Sequence, residues 1–157
     1  MKRILPLLIL FLLTMANADF YAQTVSGTAG KKSHDHGSQG DARRFVGYWM
    51  GIDPLDGGDS RRGITRNEDG TFSLILRDTV FTLCDNTDRA LGTFSDGVID
   101  HSALTSDNLV IKCFNTGATV TLKYHSEFID KNILRETVTQ QDGTPVDEII
   151  FHRVGQQ

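Results

Sequence analysis

The sequence predicts an all-β fold, an antiparallel up-and-down meander of about 8–10 strands closed into a single barrel. Three observations predict it. From Phe45 onward, short β-rich runs alternate with turn residues, and no convincing helix appears. Asp69-Gly70, Asp96-Gly97, Asn115-Thr116-Gly117 and Asp142-Gly143 fall between those runs, where Gly and Asn tolerate the positive φ of hairpin turns. Strands joined mainly by hairpins are antiparallel neighbours, and so long a meander removes its exposed edges best by closing on itself.

Along the chain, residues 1–18 read as an export signal. Lys2 and Arg3 precede an apolar run from Ile4 to Leu13, and Ala16-Asn17-Ala18 has the small-x-small cleavage pattern. The run is too short to span a bilayer comfortably, and no later stretch is apolar enough. The mature chain is therefore expected outside the cytoplasm, secreted or periplasmic, with no membrane insertion after cleavage. Residues 19–42 read as a flexible tether. From Gln23 to Asp41 the composition is mainly Gly, Ser, Thr, Lys, His and Asp, with almost nothing apolar, which buries too little to offset its ordering entropy.

Residues 43–155 form the single barrel domain. Its expected strands are Arg44–Asp53, Gly63–Arg66, Thr71–Asp78, Val80–Asp85, Ala90–Ser95, Val98–Ser102, Leu109–Phe114, Thr119–Ile129, Ile133–Thr139 and Val146–Val154. Alternation supports one buried face. Phe72, Leu74 and Leu76 share a side, as do Val120, Leu122, Tyr124 and Phe128.

Charge excludes some functions. The chain carries a net −4, and losing Lys2 and Arg3 with the signal makes it more acidic. Without a basic cluster, neither nucleic acid nor an anionic membrane surface is an expected partner. Arg43-Arg44 and Arg61-Arg62 are isolated pairs and read as solvated charge. The only two cysteines, Cys84 and Cys113, are an even count in an exported chain and predict a disulfide. Closing that loop stabilises the fold by about 3–4 kcal/mol in the chain-entropy model.

Phe45-Val46-Gly47-Tyr48-Trp49 resembles the opening of the calycin barrels, which comprise lipocalins, intracellular fatty-acid-binding proteins and avidins. The resemblance implies that Trp49 packs across one closed barrel end, with Gly47 leaving room beside it. It also implies that Arg153, ending the last strand, lies against the indole, worth about 0.5–2 kcal/mol. The stretch Trp49 to Asp59 is also similar to openings of small secreted bacterial proteins. Pro54 to Ser60 cannot form the two-helix lid of fatty-acid-binding proteins, the Thr-Asp-Tyr turn of lipocalins is missing, and Trp49 is the only tryptophan. The expected barrel is therefore lipocalin-like without lid helices.

Little in the chain points to chemistry. No Gly-x-Ser-x-Gly elbow occurs, and Asp100-His101-Ser102, read as consecutive strand residues, point to opposite faces and do not converge. No enzyme activity, cofactor or metal is expected. Asp53 to Asp59 holds three acids in a glycine-rich loop but lacks the alternating acids and closing glutamate of a calcium hand, so its acids read as turn formers. His34-Asp35-His36 on the tether reads as solvated.

The functional expectation is a small exported protein that holds an apolar or amphipathic molecule in a barrel cavity. Phe72 and Leu74 would line it, and Tyr124 and Arg135 would supply polar contacts, Arg135 through a fork to a carboxylate. Glu148 is a further inward candidate. Solvent exposure with a cross-strand acid is the alternative for Arg135. The alternative for the whole protein is a filled barrel acting through its loops, as an interaction or inhibitor protein of the cell envelope.

Overall fold

The structure is a computed structural model that describes residues 42–84 and 88–155. The expected export signal, the tether up to residue 41 and His34-Asp35-His36 lie outside the described residues. Eight strands follow one another: β1 (Gly47–Ile52), β2 (Asp59–Arg66), β3 (Phe72–Asp78), β4 (Ala90–Asp100), β5 (Ala103–Cys113), β6 (Thr119–Asp130), β7 (Ile133–Thr139) and β8 (Pro145–Arg153). Each pairs antiparallel with the next. β1 also pairs with β8 through Trp49↔Arg153 and Gly51↔Phe151, which closes the barrel. The expected all-β meander barrel is the fold observed.

Two pairs of hairpin residues behave as read. Asn67 to Thr71 and Gln140 to Thr144 share one design. In each, the first N–H donates to the last carbonyl at 2.8 Å, a left-handed glycine (Gly70 or Gly143) follows, and Asp69 or Asp142 accepts the closing threonine's N–H at 2.9 Å. Such carboxylate-to-backbone bonds are the mechanism by which Asp favours turns.

Ten expected strands become eight for two reasons. Asp96-Gly97 is not a turn, and β4 runs straight through it with a bulge at this point of the β3–β4 ladder. Glycine is needed there for close approach. A Cβ on Gly97 would meet the Phe94 ring at 2.5 Å and Leu104 at 3.1 Å. The hairpin instead turns at His101-Ser102, both at positive φ (46° and 75°). That is the backbone of a two-residue primed turn, built here without the usual Asn-Gly. Asp100-His101-Ser102 is therefore a strand end and a turn, not a strand. The second reason is Val80–Asp85. Its described part, residues 80–84, is a bend and a turn, with Phe81 turned into the core.

The start of the domain also differs. Residues 42–45 form a short helical turn, not the beginning of a strand, and Ala42, placed at the end of the tether, is buried. The turn swings Phe45 into the core, where its ring lies 4.7 Å from that of Phe128. The chain then enters β1 at Gly47, whose φ is 139°.

Inside, Trp49, Phe45, Ile64, Phe72, Leu74, Leu76, Leu104, Leu109, Ile111, Leu122 and Phe151 are essentially sealed from solvent. Each large apolar side chain buried this way contributes about 1.5–3 kcal/mol. The expected disulfide Cys84–Cys113 forms, with Cα atoms 5.5 Å apart. It ties the loop after β3 to the end of β5, as an oxidising compartment permits.

Candidate functional site: a charged layer inside the barrel

Two regions of the barrel concentrate polar chemistry against aromatic rings. The first is the end at which β1 starts and β8 stops. The Arg153 guanidinium lies 4.1 Å over the Trp49 ring. It donates from Nη1 to the Val46 carbonyl at 2.8 Å and from Nη2 to the Arg44 carbonyl. The indole Nε1 donates to the Phe45 carbonyl at 2.9 Å, and Phe128 packs edge-on to it. Gly47 is required beside them, because a Cβ there would sit 2.7 Å from Arg153 Nη1. This end is a structural lock made of residues 44–49, Phe128 and Arg153.

The second region lies deeper and was not legible as a site. Arg62, read as half of a solvated pair, is buried at 2% exposure. Its neighbour Arg61 points outward, while Arg62 shares the inward face of β2 with Ser60 and Ile64. The guanidinium crosses the interior from β2. Nε and Nη2 donate to Glu136 on β7 at 2.6–2.9 Å, and Nη1 donates to Asp78 on β3 at 2.6 Å and to the Arg61 carbonyl at 3.0 Å. Its plane rests over Phe151, 4.6 Å from the ring centre. Gly51 gives the packing room from β1, since a Cβ there would strike the Ile150 carbonyl at 2.6 Å and Ile149 at 2.8 Å.

A buried ion needs this much. Taking a guanidinium out of water costs several kcal/mol, and only close charges with good geometry offset it. Burial acts to lower the Arg62 pKa, but Glu136 and Asp78 overcome it and hold Arg62 charged. Burial, with Asp78 adding to it, lifts Glu136 above the ordinary carboxylate range even beside Arg62. Around this triad stand Tyr124, Ser126, Asp147 and Asp53, all buried. Tyr124 Oη, Ser126 Oγ and one Asp147 oxygen make no well-formed hydrogen bond among the described residues, although the Tyr124 hydroxyl lies near Ser126 and Glu136. Burial, and then the Glu136 charge, push the Tyr124 phenol well above its usual value. Burial, and then Asp53, Glu136 and Asp78, push Asp147 up to about 7.

Asp147 is thus the group in this layer able to gain or lose a proton near neutral pH. It finds no imidazole to work with. The three described histidines, His101, His125 and His152, are all exposed, and the His101–Asp100 pair at 2.6 Å lies on the solvent-facing turn. Among the described residues, no group of three or more His, Cys, Asp or Glu side chains is placed to hold a metal ion. In the acidic loop, the Asp53 and Asp56 carboxylates accept backbone N–H groups of Leu55 (2.7 Å) and Gly58 (2.6 Å).

The residues expected to line a cavity fall in different places. Phe72 and Leu74 point inward and are packed in the core. Tyr124 also points inward, its ring 5.1 Å from that of Phe94. Arg135 is on the outer wall, directly opposite Glu127 and paired with it, so it does not meet the other three. Glu148 is exposed too, and the inward acid on β8 is its neighbour Asp147. Both lie in the regular part of the β7–β8 ladder, where alternation from Phe151 and Ile149 turns Asp147 inward; the register slips only beyond them, toward Pro145. Sequence alone held one usable sign of Arg62. Period-two alternation from Ile64 puts Arg62 inside, and the lone Arg-Arg pair concealed it.

On the outer wall, β4 and β5 part between Thr93↔Val110 and Val98↔Thr105. The gap forms a solvent-open crevice of about 310 Å³ lined by Thr93, Phe94, Ser95, Asp96, Asn108 and Val110. Asp96 bridges it, accepting from Ser106 Oγ at 2.7 Å and from Asn108 Nδ2 at 2.5 Å. No protein-family model matches the chain, and a search of curated proteins finds no significant match.

Proposed function

We propose that the protein is an exported, disulfide-stapled barrel of the calycin type that acts as an interaction protein of the cell envelope, through its outer surface. The observation that carries this reading is the state of Arg62. A barrel that takes up an amphipathic acid needs an interior cation free to receive it. Here the one buried arginine among the described residues already donates to Glu136 and Asp78, and Phe72 and Leu74 pack against the core. Membership of the calycin group is supported by the Gly-x-Trp opening, the arginine over the indole and the closed eight-strand meander. Export is supported by the signal-like residues 1–18 and by the disulfide.

A second reading, a barrel that holds a small polar molecule, is favoured by Tyr124 Oη and Ser126 Oγ, near Glu136 but without a well-formed hydrogen bond among the described residues. Buried polar atoms are normally satisfied, by water where not by a ligand. Native mass spectrometry of protein purified gently from its own envelope separates the two. The interaction reading expects the disulfide-bonded chain with no small molecule stoichiometrically bound. A small molecule retained one to one, and lost in Tyr124→Phe, would replace it with the second reading.

A further inference from the structure

The outer wall of β1–β5 combines two properties. It is apolar: Tyr48, Met50, Ile52, Ile75, Leu91 and Val110 are each at least 40% exposed. Strand register places five of them in two adjacent rows, with Ile52 beside Asp59 at the margin. One row runs Tyr48↔Gly63↔Ile75↔Thr93↔Val110, and the next runs Met50↔Arg61↔Arg77↔Leu91↔Lys112. Contiguous exposed apolar area of this kind marks an interaction site.

The wall is also cationic on an acidic chain. Arg61 and Arg77 face each other directly across β2 and β3, an arrangement that destabilises a sheet unless something outside compensates it. Arg61 has a loose contact of 3.7 Å with Asp59 at the margin. Neither Arg77 nor Lys112 has a carboxylate partner among the described residues. The opposite wall is arranged differently. There Thr105, His125, Thr137 and Glu148 form a polar row, and Glu127 and Arg135 neutralise each other.

We infer that the β1–β5 wall docks a protein partner whose contact surface is apolar and acidic. The inference rests on the interaction reading above and names its surface. Charge chooses among occupants. A second copy would bring the same cations against this wall. A bilayer would cover the apolar groups, but Arg61 and Arg77 stand between Met50 and Leu91 in one cross-strand row, so burying that row in hydrocarbon would desolvate both guanidiniums. A protein supplies carboxylates along that row and apolar side chains beside them. The β4–β5 crevice borders the wall at Thr93 and Val110, and gives the partner a recess for an anchoring side chain.

The test is an NMR titration of the isotope-labelled protein with three probes. These are an acidic amphipathic peptide alternating Glu with Phe and Leu, the same peptide with Lys for Glu, and phosphatidylglycerol vesicles. The acidic peptide is expected to shift amide signals of residues 48–52, 61–65, 73–77, 91–93 and 110–112. Its affinity should fall about fivefold or more from low to ~0.3 M salt, as screened charge pairs require. Arg61→Glu with Arg77→Glu, both on solvent-facing positions, should abolish the shifts and keep the denaturation midpoint. No shift on this wall, equal shifts from the lysine peptide, vesicle binding lost in the same double variant, or a salt-sensitive dimer of the protein alone would each overturn the inference. Native mass spectrometry reads the interior only, so the interaction reading can stand while this surface fails.

Discussion

Two of the arginines that lie over aromatic rings, Arg153 and Arg62, are satisfied differently. Arg153 lies over Trp49 at the barrel end and donates to neutral carbonyls of Val46 and Arg44. Burial, with Arg44 adding to it, lowers its pKa. Arg62 lies over Phe151 in the interior and is held by two carboxylates, which raise its pKa. Where water still reaches, carbonyl dipoles and a ring suffice. Where it does not, the cation needs counter-charges, and those bring further acids whose own burial must be balanced. The end lock is a fastening; the interior layer is a mutually dependent set.

The comparison breaks most visibly at Arg62. Arg62→Ala leaves Glu136 and Asp78 buried without a partner and should cost about 3–5 kcal/mol in urea denaturation. Replacing all three together, as Arg62→Met, Asp78→Leu and Glu136→Leu, should recover most of that loss. A single-variant loss below ~1 kcal/mol would mean that water already solvates the triad.

Next is Asp147. Its pKa, about 7 in the folded chain, lies above the unfolded value, so ionising it opposes folding. The penalty is absent below about pH 4, grows as pH rises toward 7, and is complete above that. Discounted for solvent near this end of the barrel, Asp147→Asn should stabilise the protein by about 2 kcal/mol at pH 8 and by nothing at pH 4. Melting curves of both proteins across that range test it, and parallel profiles would remove Asp147 from the layer.

A smaller effect is expected at the lock. Arg153→Ala should cost about 1–2 kcal/mol and alter the emission of Trp49, the only tryptophan. Unchanged fluorescence would separate the ring from the guanidinium. Smallest of all is Arg135→Ala on the outer wall. Its exposed pair with Glu127 should leave the denaturation midpoint within error.

These two regions were unequally legible in the sequence. The lock is made of a short motif and a terminal arginine, so a local pattern carried it. The interior layer draws Arg62 from β2, Asp78 from β3, Tyr124 and Ser126 from β6, Glu136 from β7 and Asp147 from β8, and only the register brings them together. Misreading two turns mattered here. A hairpin assigned to Asp96-Gly97, where the chain passes straight because Phe94 and Leu104 need the glycine's space, conceals the true turn at His101-Ser102. On β8, alternation back from Phe151 and Ile149 places Asp147 inside and Glu148 outside. Turn chemistry that departs from Asn-Gly, and bulges that shift faces, are set by packing that no single run of residues displays.

Closing the ring also constrains when the protein can fold. Arg153 reaches carbonyls 107 and 109 positions earlier in the chain, and β1 has only β2 to pair with until β8 exists. Long loops close slowly, because their entropy must be lost before any contact rewards it. A growing chain short of residue 145 would present two open strand edges and no lock. Such a chain can pair neighbouring strands but cannot close the ring until nearly all of it is made.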